Sequence, residues 1–202
     1  MFVYIHGFAS SPGSRKAQSF REALDAHRVA IKIPVMDQGD FKHLTISGQL
    51  GVLEDTIQNR PVSLVGSSMG GYLAALYAAA HPEVVRLVLL APAFGFAERC
   101  NQKIREPKPA YLEVFHYGEN RVRRVHYGLI EDALGYPAAP DFKQPVWIFH
   151  GTKDDVVPVE YSRAFAREHP NVRLTELDSD HGLLDVLDHI VDDAVPFLLA
   201  SR

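Results

Sequence analysis

The stretch Val62-Ser63-Leu64-Val65-Gly66-Ser67-Ser68-Met69-Gly70-Gly71-Tyr72-Leu73-Ala74-Ala75 passes from a short β-branched apolar run, through a glycine–serine turn, into an alanine-rich helix former. That order predicts strand, sharp turn, helix. Gly66-Ser67-Ser68-Met69-Gly70 fits the G-x-S-x-G nucleophile elbow with Ser68 at its tip. A serine on so tight a turn needs small residues two positions away on both sides, or the backbone cannot close. Only Ser68 has glycines at both offsets; Ser67 does not. Its hydroxyl is then expected at the carboxyl edge of a sheet, beside the positive end of a helix.

Working outward, Phe2-Val3-Tyr4-Ile5-His6 reads as a buried strand, and His6 to Gly13 as a loop by its Gly, Ser and Pro content. Ser14 is placed to cap a helix reaching about His27, with Ala17, Phe20, Ala23 and Leu24 on its apolar face. Val29-Ala30-Ile31-Lys32-Ile33 reads as a second strand stopped by Pro34, and Thr45 as the cap of a helix carrying Ile46, Leu50, Leu53 and Ile57. Beyond the elbow come a strand at Val84–Leu90, another at Val146–His150, a last one at Asn171–Leu177, and a final apolar-faced helix. Strands that alternate with helices and run as continuous apolar stretches imply a mostly parallel central sheet with helices on both faces, a single α/β domain over residues 1–202. From about residue 95 to 142 the pattern breaks into aromatics, charges and prolines with no strong strand, which reads as a small helical lid inserted between strands.

Composition narrows the function classes. A formal net charge of -4 gives no electrostatic case for nucleic acid. No stretch approaches the roughly 20 apolar residues of a membrane span, and the short run at the amino end lacks the basic flank of a secretory signal. Cys100 is the only cysteine, so an intrachain disulfide is impossible and a reducing, cytoplasmic setting is the expectation. The acidic residues of the carboxyl half (Asp178, Asp180, Asp185, Asp188, Asp192, Asp193) lack the His/Cys spacing of metal ligands, so no metal is expected there.

A serine hydroxyl becomes a competent nucleophile only when a base takes its proton, and the base needs an acid to hold its tautomer. The loop His150-Gly151-Thr152-Lys153-Asp154-Asp155 supplies the acid at a strand's carboxyl end. Asp154 and Asp155 compete, and Asp154 is preferred; adjacent turn residues point differently, and capping of the next helix accounts for Asp155. The loop Asp178-Ser179-Asp180-His181-Gly182 after the last strand delivers His181 to the same edge. His81, His169 and His189 are expected to face solvent. The order Ser, Asp, His is the one α/β-hydrolases use. For the oxyanion, Met69 offers a backbone N–H at the helix start, and Phe8 a second one from the loop after the first strand, with Gly7 permitting close approach. His116 and Tyr117 are weighed as lining of an acyl pocket against core packing. Arg121-Val122-Arg123-Arg124 is weighed as a site for an anionic group, such as the phosphates of an acyl-CoA, against a solvated helix face.

With these residues in view the sequence resembles the α/β-hydrolase superfamily over nearly its full length, and within it the compact bacterial esterases of the YqiA type. The resemblance rests on Tyr4-Ile5-His6-Gly7-Phe8 with Ser10-Ser11-Pro12, on Gly66 to Tyr72, on Asp40-Phe41 with Leu44-Thr45-Ile46, and on Asp180-His181. It implies Ser68 as nucleophile, Asp154 as acid, His181 as base, and Phe8 and Met69 as oxyanion donors. It also implies hydrolysis of carboxylic esters or thioesters without cofactor or metal. The strand at residues 2–6 would correspond to the superfamily's third, so that the usual first two are missing. The expectation is cleavage of short- to medium-chain acyl esters of small molecules through an acyl-enzyme. The alternatives are an acyl-CoA thioesterase or peptidase of the same fold, and a ligand-binding protein without turnover.

Overall fold

In a computed structural model of the chain, residues 1–104 and 107–200 are described. The central sheet is built from β1 (Phe2–Ile5), β2 (Ile31–Lys32), β3 (Val62–Ser67), β4 (Val84–Leu90), β7 (Val146–Gly151) and β8 (Val172–Leu177). The strands stand in the order β2-β1-β3-β4-β7-β8, and every pairing is parallel. Period-2 alternation divides each strand between two cores. Val3, Ile5, Leu64, Leu87, Leu89 and Ile148 join one cluster, whereas Tyr4, Val65, Val88, Leu90, Trp147 and Phe149 join the other. Helices α1 (Arg15–Ala26) and α7 (Leu187–Leu199) cover the second face with Phe20, Leu24, Ile190 and Ala194. On the first face lie α2 (Ile46–Ile57), α3 (Met69–Ala80) and α6 (Glu160–Glu168), through Leu53, Leu73 and Phe165. Trp147, the sole tryptophan, is 5% exposed and donates its indole N–H to the Thr175 hydroxyl at 2.9 Å.

The caps explain where the elements begin. Thr45 accepts the Gly48 N–H at 2.9 Å and starts α2, as its position before an apolar period predicts. Ser14 starts α1 through its backbone alone, accepting the Gln18 N–H at 3.0 Å while its hydroxyl makes no cap bond. The strand expected at residues 29–33 shrinks to Ile31–Lys32. The chain leaves α1 through Arg28 at φ 61°, and the Val29 N–H is bound to the Leu24 carbonyl at 3.0 Å, so neither residue can join the ladder.

The segment between β4 and β7 corrects the helical expectation. It contains α4 (Phe96–Lys103), an antiparallel hairpin of β5 (Tyr111–His116) and β6 (Arg121–His126), and α5 (Gly128–Ala133); Arg105 and Glu106 lie outside the described residues. The Arg121–Arg124 run is therefore on a strand, not a helix face. Leu112 and Val114 pack inward while Tyr111, Glu113 and Phe115 stay exposed, an alternation hidden by the charges of β6. Partners within the hairpin explain those charges: Arg124 donates to the Glu113 carboxylate across the strands at 2.9 Å, and Arg121 and Arg123 pair with Glu119 of the turn. The insertion is tied to the body by buried Val125, Tyr127, Leu129 and Ile130 in the first-face core, and by the Asp132 carboxylate, which accepts the Ser47 N–H at 2.8 Å. Cys100, half-buried, lies in α4.

Candidate active site

The elbow puts strain where the sequence predicts it. Ser68 has φ 54° and ψ -117°, a region that costs a non-glycine residue about 1–3 kcal/mol. The surroundings over-determine it. Its N–H donates to the Leu90 carbonyl at 2.8 Å, and its carbonyl accepts from Gly71, Tyr72 and Ala93 at 2.9, 3.1 and 3.0 Å. Both motif glycines are required by close approach: a Cβ on Gly66 would run into the Gly70 carbonyl, and one on Gly70 into the carbonyls of Ile5 and His6. The helix that follows is buried from Met69 to Ala78, because its small residues let it lie directly on the sheet.

Three loops at the carboxyl ends of the strands converge on this serine. The His181 Nε2 is 3.0 Å from the Ser68 Oγ, and its Nδ1 is 2.7 Å from the Asp154 Oδ2. Loop closure fixes the imidazole. Asp180 accepts the Gly182 N–H at 2.7 Å, Ser179 is hydrogen-bonded to Asp185, and Lys153 donates its N–H to the Ser179 carbonyl at 3.0 Å. The Asp154 side chain is 0% exposed, and its other oxygen accepts the N–H groups of Val156 and Val157 at 2.9 and 2.7 Å. Burial alone would raise its carboxyl. Hydrogen bonds from His150, His181 and the Val157 amide outweigh burial and hold it well below the usual carboxylate range. Asp155, exposed, is outside this network.

The sequence reading missed His150. Fully buried at the end of β7, it places Nε2 3.1 Å from the Asp154 Oδ2 and 2.8 Å from the Val157 carbonyl, with Nδ1 2.8 Å from the Ser162 hydroxyl. Its signal was present: a histidine ending a wholly apolar strand, four residues before the acid. An Nε2–H donor there adds a second ring to the bonds that orient Asp154.

Donors for an anion stand beside the serine. Met69 is the first residue of α3, so its N–H has no intrahelical partner. The Phe8 N–H makes no hydrogen bond among the described residues. Gly7 lets the Phe8 loop lie on the elbow: an added Cβ would stand 3.2 Å from the Ser67 carbonyl oxygen and 3.4 Å from the Ser68 Cβ. His6 is structural, with Nδ1 3.0 Å from the Gly7 carbonyl and Nε2 near the Met36 N–H; burial lowers its pKa.

A pocket of about 130 Å³ opens at Ser68, bordered by Tyr4, Gly7, Phe8, Ser10, Ser14, Lys16, Ser67 and His181. The structure does not bring His116 or Tyr117 to it. His116 is buried in the hairpin, 4.7 Å ring to ring from Phe41, and accepts the Glu119 N–H. Tyr117, 76% exposed, borders an outer cleft with Ser10 and Ser14. Lys16 is the unforeseen wall residue, although it falls one turn before Phe20 on the buried row of α1. Of the histidines expected in solvent, His189 is exposed. His81 is stacked on Tyr77 at 3.8 Å and His169 on Phe165 at 4.1 Å, so both are partly buried against their own helices. Among the described residues no helix is long and apolar enough to cross a membrane.

A serine at the strand-to-helix crossing of a parallel sheet, met by an acid and then a histidine from later loops, is how α/β-hydrolases are built, and the fold places the molecule in that superfamily. Solved structures share the architecture. Est1E from Butyrivibrio proteoclasticus superposes with a TM-score of 0.82 at 22% identity, covering 98% of this chain and 86% of that one. Alpha/beta hydrolase domain-containing protein 10 from mouse gives 0.81 at 22%, with 98% and 90% covered. More narrowly, residues 1–198 match the model of uncharacterised protein family UPF0227, and the chain belongs to that family. Among curated relatives, the mitochondrial palmitoyl-protein thioesterase ABHD10 of Bos taurus is 33% identical over 225 aligned residues, 96% of this chain and 72% of its own length. The Homo sapiens protein of the same name is 30% identical over 167 residues, 71% of this chain, which spans only 54% of that relative.

Proposed function

We propose that the protein is a serine hydrolase of carboxylic acyl esters, acting through Ser68, His181 and Asp154 without metal or cofactor. The observation that carries the reading is the unbroken chain of hydrogen bonds from the Ser68 Oγ through both nitrogens of His181 to a buried, ionised Asp154. In this reading His181 Nε2 takes the hydroxyl proton as the Ser68 oxygen bonds to the ester carbonyl carbon. The carbonyl oxygen becomes an anion facing the N–H groups of Phe8 and Met69. Collapse breaks the bond to the leaving oxygen, which takes the proton from His181. Water then attacks the acyl-enzyme, gives a proton to His181, and the acid departs as Ser68 regains its hydrogen. Asp154 stays ionised throughout and holds the Nδ1–H tautomer.

The small pocket favours short acyl groups or compact leaving groups beside Ser68. A thioester reading has its own support in the name of the ABHD10 relatives, palmitoyl-protein thioesterase. Hydrolysis of p-nitrophenyl esters from acetyl to palmitoyl, with Ser68→Ala alongside, separates the cases. A short-chain optimum abolished by the variant supports the esterase. Preference for an acyl-CoA over the matched oxygen ester supports the thioesterase. Full turnover by Ser68→Ala would sink the mechanism.

A further inference from the structure

The pocket beside Ser68 carries more polarity than a simple acyl ester needs. Lys16 borders it, partly buried, and its ammonium makes no hydrogen bond or ion pair among the described residues. The Ser10 and Ser14 hydroxyls border the same space, and the Ser14 hydroxyl is not used as a helix cap. The Tyr4 hydroxyl, on the same wall, is fully buried without a hydrogen bond of good geometry. A partly desolvated ammonium is unfavourable unless something supplies its counter-charge. Asp154 acts on Lys16 only through space, its oxygens being bound by His181, His150 and the Val156 and Val157 amides. Asp180 acts on Lys16 only at a distance, its Oδ1 being bound to the Gly182 N–H.

Position tells which part of a substrate meets Lys16. Lys16 and His181 stand on the wall of one pocket beside Ser68. His181 is the group from which a proton reaches the leaving oxygen, so the departing alcohol or thiol is the portion that faces that wall. The space, about 130 Å³ and open to solvent on one side, is enough for an oxyanion on a compact frame.

We propose, resting on the hydrolase reading above, that this pocket is an anion subsite for the leaving group: Lys16, with the Ser10 and Ser14 hydroxyls, receives a carboxylate or phosphate carried by the alcohol or thiol that departs. The favoured substrates are thus acyl esters or thioesters of an acidic alcohol or thiol.

The test uses 4-butyryloxybenzoate, its neutral methyl ester, and 4-butyryloxyphenyl phosphate. The quantity read is the ratio of kcat/KM for each anionic ester to that for the neutral one, relative to wild type. Lys16→Met is expected to lower the ratio roughly tenfold to a hundredfold, the range of a hydrogen bond to a charged group. Lys16→Arg should restore most of it, and added salt should reduce it in the wild type. A loss confined to the benzoate assigns the subsite to carboxylates, and one confined to the phenyl phosphate assigns it to phosphates. A ratio that Lys16→Met leaves unchanged overturns the subsite while the hydrolase reading stands. A folded wild type that cleaves none of the three overturns both.

Discussion

Two regions of this molecule solve opposite problems. At the elbow, β3 and α3 are buried almost throughout, and a serine in a strained conformation is held by four backbone hydrogen bonds. In the β5–β6 hairpin the outward face is exposed, its aromatics touch one another, and its charges pair across the strands near solvent. The first region is close-packed, so its atoms have little room to shift. The second has room to change. Chemistry should therefore be sensitive at the elbow and its partner loops, and tolerant on the outer hairpin.

The sharpest way to break that contrast is Ser68→Ala, expected to lower turnover by roughly 10⁶-fold while leaving the unfolding midpoint nearly intact or raised, since strain is not worsened. Asp154→Asn should cost roughly 10³–10⁴-fold in kcat by losing the tautomer of His181. It also has a signature in acid. The folded carboxyl titrates below its unfolded value, so its stabilisation is complete above about pH 4 and drains as pH falls through the folded pKa. Urea midpoints measured down the acid range should therefore fall less steeply for Asp154→Asn than for the wild type. Gly70→Ala forces a methyl against the Ile5 and His6 carbonyls and should destabilise by about 1–3 kcal/mol or more, seen as a lower Tm. Lys16 gives a milder test. Burial lowers its pKa to about 8, against the opposing pull of Asp154 and Asp180. The group is cationic below that value and neutral above it, so any preference for anionic esters should fade as pH rises through about 8, read against the neutral ester at each pH. Smallest of all, Glu113→Ala removes an exposed partner of Arg124 and should change stability by no more than about 1 kcal/mol in chemical denaturation, with activity unaltered. A large activity loss there would overturn the division between the two regions.

The same contrast explains what could be read from the chain. Gly66, Gly70 and the β-branched run before Ser68 have one conformation that suits them, so the elbow and the parallel sheet were legible. Residues with a single strong local preference carry their own address. The hairpin was not legible, because Glu113, Arg123 and Arg124 break its apolar alternation and are explained only by partners elsewhere in the hairpin, Glu113 and Arg124 by each other and Arg123 by Glu119 of the turn. Lys16 and His150 escaped for a related reason: each is a polar residue on a buried row, and its meaning depends on loops more than a hundred residues away or on a turn four residues ahead. His169 and His81 were expected in solvent because polarity alone does not reveal stacking on a neighbouring ring.

The single Trp147 lies in the sheet near the start of β7, the strand whose far end leads to Asp154, and the single Cys100 lies in the insertion. The natural chain thus carries two reporters, one in the central sheet and one in the insertion, with no engineering required. Indole emission follows the opening of the sheet, and the rate at which a thiol reagent reaches Cys100 follows the opening of α4. Coincident curves in denaturant would mean that the molecule melts as one cooperative unit. A thiol that becomes reactive before the indole shifts would mean that the insertion loosens on its own, at a free energy below that of the sheet.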